Sequence, residues 1–149
     1  MSAYGNPGRW LAGLLLALTA SLALAQGASW VVKAVHGYRI ALAVEGVFES
    51  AEPGTDPRHA RSLEHRLSVT VHEKSSGRAA PLASIGADVA ESGYSGTTIA
   101  LAPARSGAAG RFEGVVRLST KGAHRILIHA TPAGGGRTLE AQFEYRHHH

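Results

Sequence analysis

The chain has 149 residues, no cysteine, a single methionine at position 1 and a formal charge of +4 at pH 7. Without cysteine there can be no disulfide scaffold, thiolate metal site, covalent c-type haem or lipidated amino-terminal cysteine. Fifteen Lys and Arg stand against eleven acids with no polybasic block, so no nucleic-acid footprint or membrane-surface patch is expected.

Arg9 precedes an uncharged run over 10–25 (WLAGLLLALTASLALA) that ends in Ala23, Leu24 and Ala25. A positive residue, a short apolar stretch and a small-residue end are the marks of a secretory signal, so residues 1–25 are expected to be cleaved and the protein to be periplasmic or secreted. The run falls short of the roughly 20 residues that cross a bilayer, so the membrane enters only if this segment is retained as an anchor. Residues 26–146 are enough for one domain with its own core and too few for two.

Past Ala25 the continuous apolar sequence gives way to short alternating runs separated by Gly, Pro and Ser, which is β patterning. Over 38–48, Tyr38, Ile40, Leu42 and Val44 share one face, with Arg39, Ala41, Ala43 and Glu45 opposite. The segment 49–62 has no periodicity, contains Pro53 and Pro57, and is long for a loop in a compact domain. Over 63–73, Leu63, Leu67, Val69 and Val71 face inward and Arg66, Ser68, Thr70 and His72 outward, with turn residues next at 74–77. Weaker, Ala-rich strands are expected at 87–90 and 97–102. Three clearer ones close the chain, at 111–119, 124–130 and 137–146, and their short connections predict an antiparallel meander. The last alternates most cleanly, with Leu139, Ala141, Phe143 and Tyr145 on one face. About seven short strands with frequent turns predict an all-β fold, an immunoglobulin-like antiparallel β-sandwich, with a small closed β-barrel as the alternative.

Nine histidines make imidazole the one plentiful transition-metal ligand. His65 and His72 are seven apart and His124 and His129 five apart; odd separations on a strand put each pair on opposite faces, so neither chelates locally. The candidate internal cluster groups His59 and His65 with Glu52, Asp56 and Glu64 around the long loop, joined by His36. Mixed nitrogen and oxygen donors of this kind suit Zn(II), Cu(II) or Ni(II). A second candidate is the tail 147–149, where His147, His148 and His149 offer weak divalent-metal ligation, against the plainer readings of an expression remnant or a polar tail. His129 is expected at the surface, and His124 inward beside Ile126 and Ile128 as a hydrogen-bonded structural residue. No catalytic residues are assigned: the glycine spacing around Gly93, Tyr94, Ser95 and Gly96 is wrong for a nucleophile elbow, and nothing sets Asp56 or Asp88 beside a histidine and Ser95. Aromatic residues, Trp30 and Phe143 among them, are expected in core packing.

Three stretches resemble the YtkA-like and FixH-like group of bacterial extracytoplasmic domains. They are the strand and turn at 67–81 (LSVTVHEKSSGRAAP), Gly110 to Gly114 (GRFEG) as a "G-x-aromatic-x-G" strand entry, and 122–128 (GAHRILI) as the next strand, with His124 where an aromatic is usual. The resemblance implies an immunoglobulin-like sandwich outside the cytoplasmic membrane, in proteins associated with metal transport or respiratory-oxidase assembly and not known as enzymes as a class. FixH-like proteins also keep an amino-terminal anchor. Members often carry Met and His before the "G-x-aromatic-x-G" strand; here 92–102 (SGYSGTTIALA) has neither, which removes a thioether site for Cu(I). The expected function is that of a non-enzymatic accessory domain binding a protein partner in the cell envelope, with direct binding of Cu(II) or Zn(II) as the alternative.

Overall fold

A computed structural model describes residues 29–46, 62–119 and 122–147. Residues 1–25, expected from the sequence to be a signal, Phe48, the loop residues Glu52, Asp56 and His59, and His148 and His149 lie outside the described residues. Within them are nine strands and no helix: β1 (Val31–Val35), β2 (Tyr38–Gly46), β3 (Ser62–Glu73), β4 (Leu82–Glu91), β5 (Thr97–Ala100), β6 (Ala102–Pro103), β7 (Arg111–Ser119), β8 (Ala123–Pro132) and β9 (Leu139–Arg146).

Alternation along these strands gives each sheet one apolar face, and two such faces close on each other. One sheet has the order β1-β2-β3-β7-β6 and the other β5-β4-β8-β9. All pairings are antiparallel. Ile40, Leu42, Leu67, Val69, Val71 and Leu118 from the first sheet meet Ala87, Val89, Ile126, Ile128, Leu139 and Phe143 from the second in one core. Among the described residues both sheets have free edges, so the fold is an open sandwich and not a closed barrel.

The described residues form nine strands where the sequence pattern predicts about seven. β1 escapes that count because its exposure does not alternate, as suits an edge strand with one neighbour. The stretch expected as a single strand over 97–102 divides at Leu101, where the chain passes from the second sheet to the first. Leu101 is buried there, its amide donating to the Ile85 carbonyl (3.2 Å), and the facing position is glycine. A Cβ on Gly114 would stand 2.6 Å from Leu101 Cδ2.

Gly110 admits least change. Its φ is +74°, a conformation L-residues avoid, and a Cβ would come 2.6 Å from that of Ala79. Both penalties act together in Gly110→Ala, which is expected to destabilise by about 2 kcal/mol or more, read as a lower urea midpoint at unchanged m-value.

Trp30 does not join the core. It lies at the sheet's outer face, 41% exposed, with the Arg111 guanidinium carbon 5.7 Å from its ring centroid. Arg111 also donates from Nη2 to Ser68 Oγ (3.1 Å) and pairs with Glu113 (3.1 Å). This cover explains why Ser68, outward by parity, is buried.

Candidate functional site

Strand parity delivers three imidazoles to one end of the sandwich. On β3 the inward row Val71, Val69, Leu67 continues to His65, which is 1% exposed and stands in register with Gly46 and Val116. On β8 the row Ile128, Ile126 continues to His124, 2% exposed. On β9 the row Leu139, Ala141, Phe143, Tyr145 continues past the strand to His147. β3 and β8 begin, and β9 ends, at the same end of the molecule, so the rows converge there.

The ring of His147 lies between the other two, 4.7 Å from that of His65 and 6.2 Å from that of His124, centroid to centroid. Tyr145 completes the group at 5.7 Å from His65, 6.5 Å from His124 and 5.2 Å from His147. His124 Nε2 lies 2.9 Å from the Ser119 carbonyl oxygen. A carbonyl only accepts, so Nε2 carries the proton and, in the neutral ring, Nδ1 keeps its lone pair. Burial raises the Tyr145 phenol above its ordinary value, so at neutral pH it is a hydroxyl and not an anionic ligand.

The donor set is all imidazole, suited to Cu(II) and Zn(II). With metal–nitrogen distances near 2.0–2.1 Å, two rings on a tetrahedral ion stand about 5 Å apart between centroids, a spacing that the two observed separations bracket. The rings meet edge to face, at 73° and 82°. As they stand, no group of three or more His, Asp or Glu side chains among the described residues is disposed to hold an ion. The residue types suit a transition metal, but the rings as they stand do not form a site for one.

Of the cluster grouped around the long loop, Glu52, Asp56 and His59 lie outside the described residues, and only His65, Glu64 and His36 can be placed. His65 belongs to β3 and faces the core. Glu64, its neighbour, faces outward and pairs with Arg117 across to β7 (3.4 Å). His36 occupies the β1–β2 turn, and since Tyr38 stands opposite Glu73 and Gly46 opposite His65, the length of β2, about 25–30 Å, separates the two histidines. Of the tail, His147 is part of the cluster; its two neighbours lie outside the described residues. His124 is the buried, hydrogen-bonded residue expected, but in company that spacing does not reveal. Its parity with Ile126 is the available signal, and the same counting applied to His65 and His147 points all three inward.

His129 is partly exposed on the outer face of the second sheet, 3.7 Å from Asp88 Oδ1. Asp88 also accepts the Thr98 hydroxyl. Asp88 therefore stands beside a histidine and a threonine hydroxyl, and not beside Ser95. The carboxylate nevertheless stands between hydroxyl and imidazole, whereas a nucleophilic relay needs the imidazole between them. His129 packs over Gly86, where a Cβ would lie 2.5 Å from its Cε1. Gly86→Ala is expected to displace the ring and break its approach to Asp88, seen as a change in the His129 ring chemical shifts.

No protein-family model and no curated protein matches the chain. Solved structures that the chain resembles include FetP. The chain matches the copper-bound form of a single-residue variant of FetP from uropathogenic Escherichia coli with a TM-score of 0.54 and 10% identity, covering 79% of this chain and 93% of that one. It matches FetP as isolated, recombinantly expressed in the periplasm of E. coli, with a TM-score of 0.54 and 11% identity over 80% and 95% of the two chains. At such identity the likeness establishes a shared fold and leaves function to the residues of this chain.

Proposed function

We propose that the protein is a non-enzymatic, extracytoplasmic binding protein for a divalent transition metal, Cu(II) or Zn(II), held by His65, His124 and His147. The observation that carries this reading is the convergence of three imidazoles from both sheets at one end of the sandwich. Two of the three, His65 and His124, are buried, and His147 stands in ring contact with both. The Ser119 carbonyl supports the reading as an outer-shell partner, since metal-ligating histidines commonly donate their second nitrogen to a carbonyl that fixes tautomer and ring direction. A copper-bound protein of the same fold lends support from outside the chain. The export signal read at 1–25 supports an extracytoplasmic location.

The test is calorimetric titration with Cu(II) and with Zn(II) on the His148→Ser/His149→Ser variant, which removes the outer tail imidazoles and keeps His147. Stoichiometric binding tighter than that of a free histidine peptide is expected, with proton release because the ligands must be neutral. Binding no tighter than the peptide's would sink the site.

A further inference from the structure

β1 is the outermost strand of its sheet, and no described strand pairs with its far edge. Trp30, Val31 and Val32, at and beside its start, are 41, 52 and 57% exposed. Sheets protect such edges with charge, proline or bulges; along β1 the sole charge is Lys33. The two-residue turn, with φ of +45° at His36 and +83° at Gly37, decides which backbone groups remain available. Its flanking residues Val35 and Tyr38 form the hydrogen-bonded pair of a type I′ hairpin. Val31, Lys33 and Val35 therefore bond to β2, and Val32 and Ala34 direct their N–H and C=O groups away from the sheet.

The space beside this edge is shaped. A groove of about 380 Å³ runs between β1 and β9, lined by Val31, Leu42 and Val44 on one side and Phe143 and Tyr145 on the other. Lys33 is also on the inner side, its Nζ 5.5 Å from the Phe143 ring centroid. A strand added to β1 would extend the sheet over this flank. Its inward side chains would face Val31, Lys33 and Val35.

We propose that β1 receives an extended segment of a partner protein by antiparallel strand addition, and that the segment carries the pattern apolar-x-acidic-x-apolar. The two apolar side chains lie against Val35 and against Val31 and the groove, and the acidic one pairs with Lys33. Backbone bonds to Val32 and Ala34 supply sequence-independent affinity, and the alternate side chains supply selectivity. A second copy of this chain is the poorer occupant: the register pairing all five β1 residues sets Lys33 directly against its counterpart, and like charges directly opposite destabilise a strand pair.

The probe is the peptide acetyl-Thr-Val-Thr-Glu-Thr-Val-Thr-amide, compared with the same peptide carrying Lys in place of Glu. With the full chain, the Glu peptide is expected to shift Trp30 fluorescence and slow hydrogen exchange at the Val32 and Ala34 amides, and the Lys peptide to bind about tenfold more weakly. Lys33→Glu should invert that order. Val32→Pro, which removes an outward amide without touching the β1–β2 ladder, should abolish binding; if it fails to fold, the Lys33→Glu inversion decides. Equal affinity for the two peptides, or no slowing at Val32 and Ala34 at millimolar peptide, would overturn the proposal. So would a concentration-dependent dimer of the unliganded chain that Val32→Pro dissolves.

Discussion

His65→Ala and His147→Ala are each expected to weaken Cu(II) binding by about a hundredfold or more, since even outer-shell losses cost 10–100-fold in metal sites. His36→Ala, at the far end of β2, should leave it unchanged. The contrast tests which histidines act together rather than how many there are. Because His65 is buried, its alanine variant also leaves a cavity, so the chain must be shown to be folded before its titration is interpreted. His124→Gln separates structure from ligation more cleanly. The glutamine amide can donate to the Ser119 carbonyl as His124 Nε2 does, yet it offers no imidazole lone pair. Stability within about 1 kcal/mol of the parent, loss of Cu(II) affinity and loss of one nitrogen coupling in the electron paramagnetic resonance spectrum are expected together. Full affinity with an unchanged spectrum would show that His124 serves only to pack and tie the β7–β8 connection.

Phe143→Ala should be the most damaging core truncation, costing about 3–5 kcal/mol in chemical denaturation. Phe143 is 3% exposed, projects from the middle of β9 and stands in register with Ile126. Its ring faces both the core and the Lys33 ammonium, so truncation removes packing and a cation–π contact at once. The surrounding strands are tied by ladder hydrogen bonds and cannot collapse far into the space. Val115→Ala is the control: that side chain is more than half exposed and its loss should stay within about 0.5 kcal/mol. A Phe143→Ala penalty as small as the control's would mean that the two sheets are not packed through this residue.

The period-two signal is strong wherever a strand has one dry and one wet face. The β9 row of Leu139, Ala141, Phe143 and Tyr145 and the β8 row from His124 to Ile128 stand where parity puts them. It is weak where that contrast is absent. β1, exposed along most of its length, shows no alternation. β4 is a longer strand than its Ala-rich centre at 87–90 suggests, because small residues carry little hydrophobic contrast. Trp30 is expected inward because aromatic side chains usually are, but it lies outside the core against Arg111.

The histidine cluster divides along the same line. That His65, His124 and His147 each continue an inward row is a property of local sequence, since side chains two apart on a strand share a face whatever the strand pairs with. The all-β class and the absence of thiol and thioether ligands from residues 26–149 were likewise determined by the amino-acid sequence alone, through composition and short-range pattern. Which rows end together was not. Residues 65, 124 and 147 meet only because β3 pairs with β7, β8 crosses to the second sheet and β9 returns beside it, and pairings between strands so far apart are chosen by the packing of whole sheets. The same tertiary choice carries His36 to the opposite end and leaves β1 at an edge, where its unbonded backbone groups face outward.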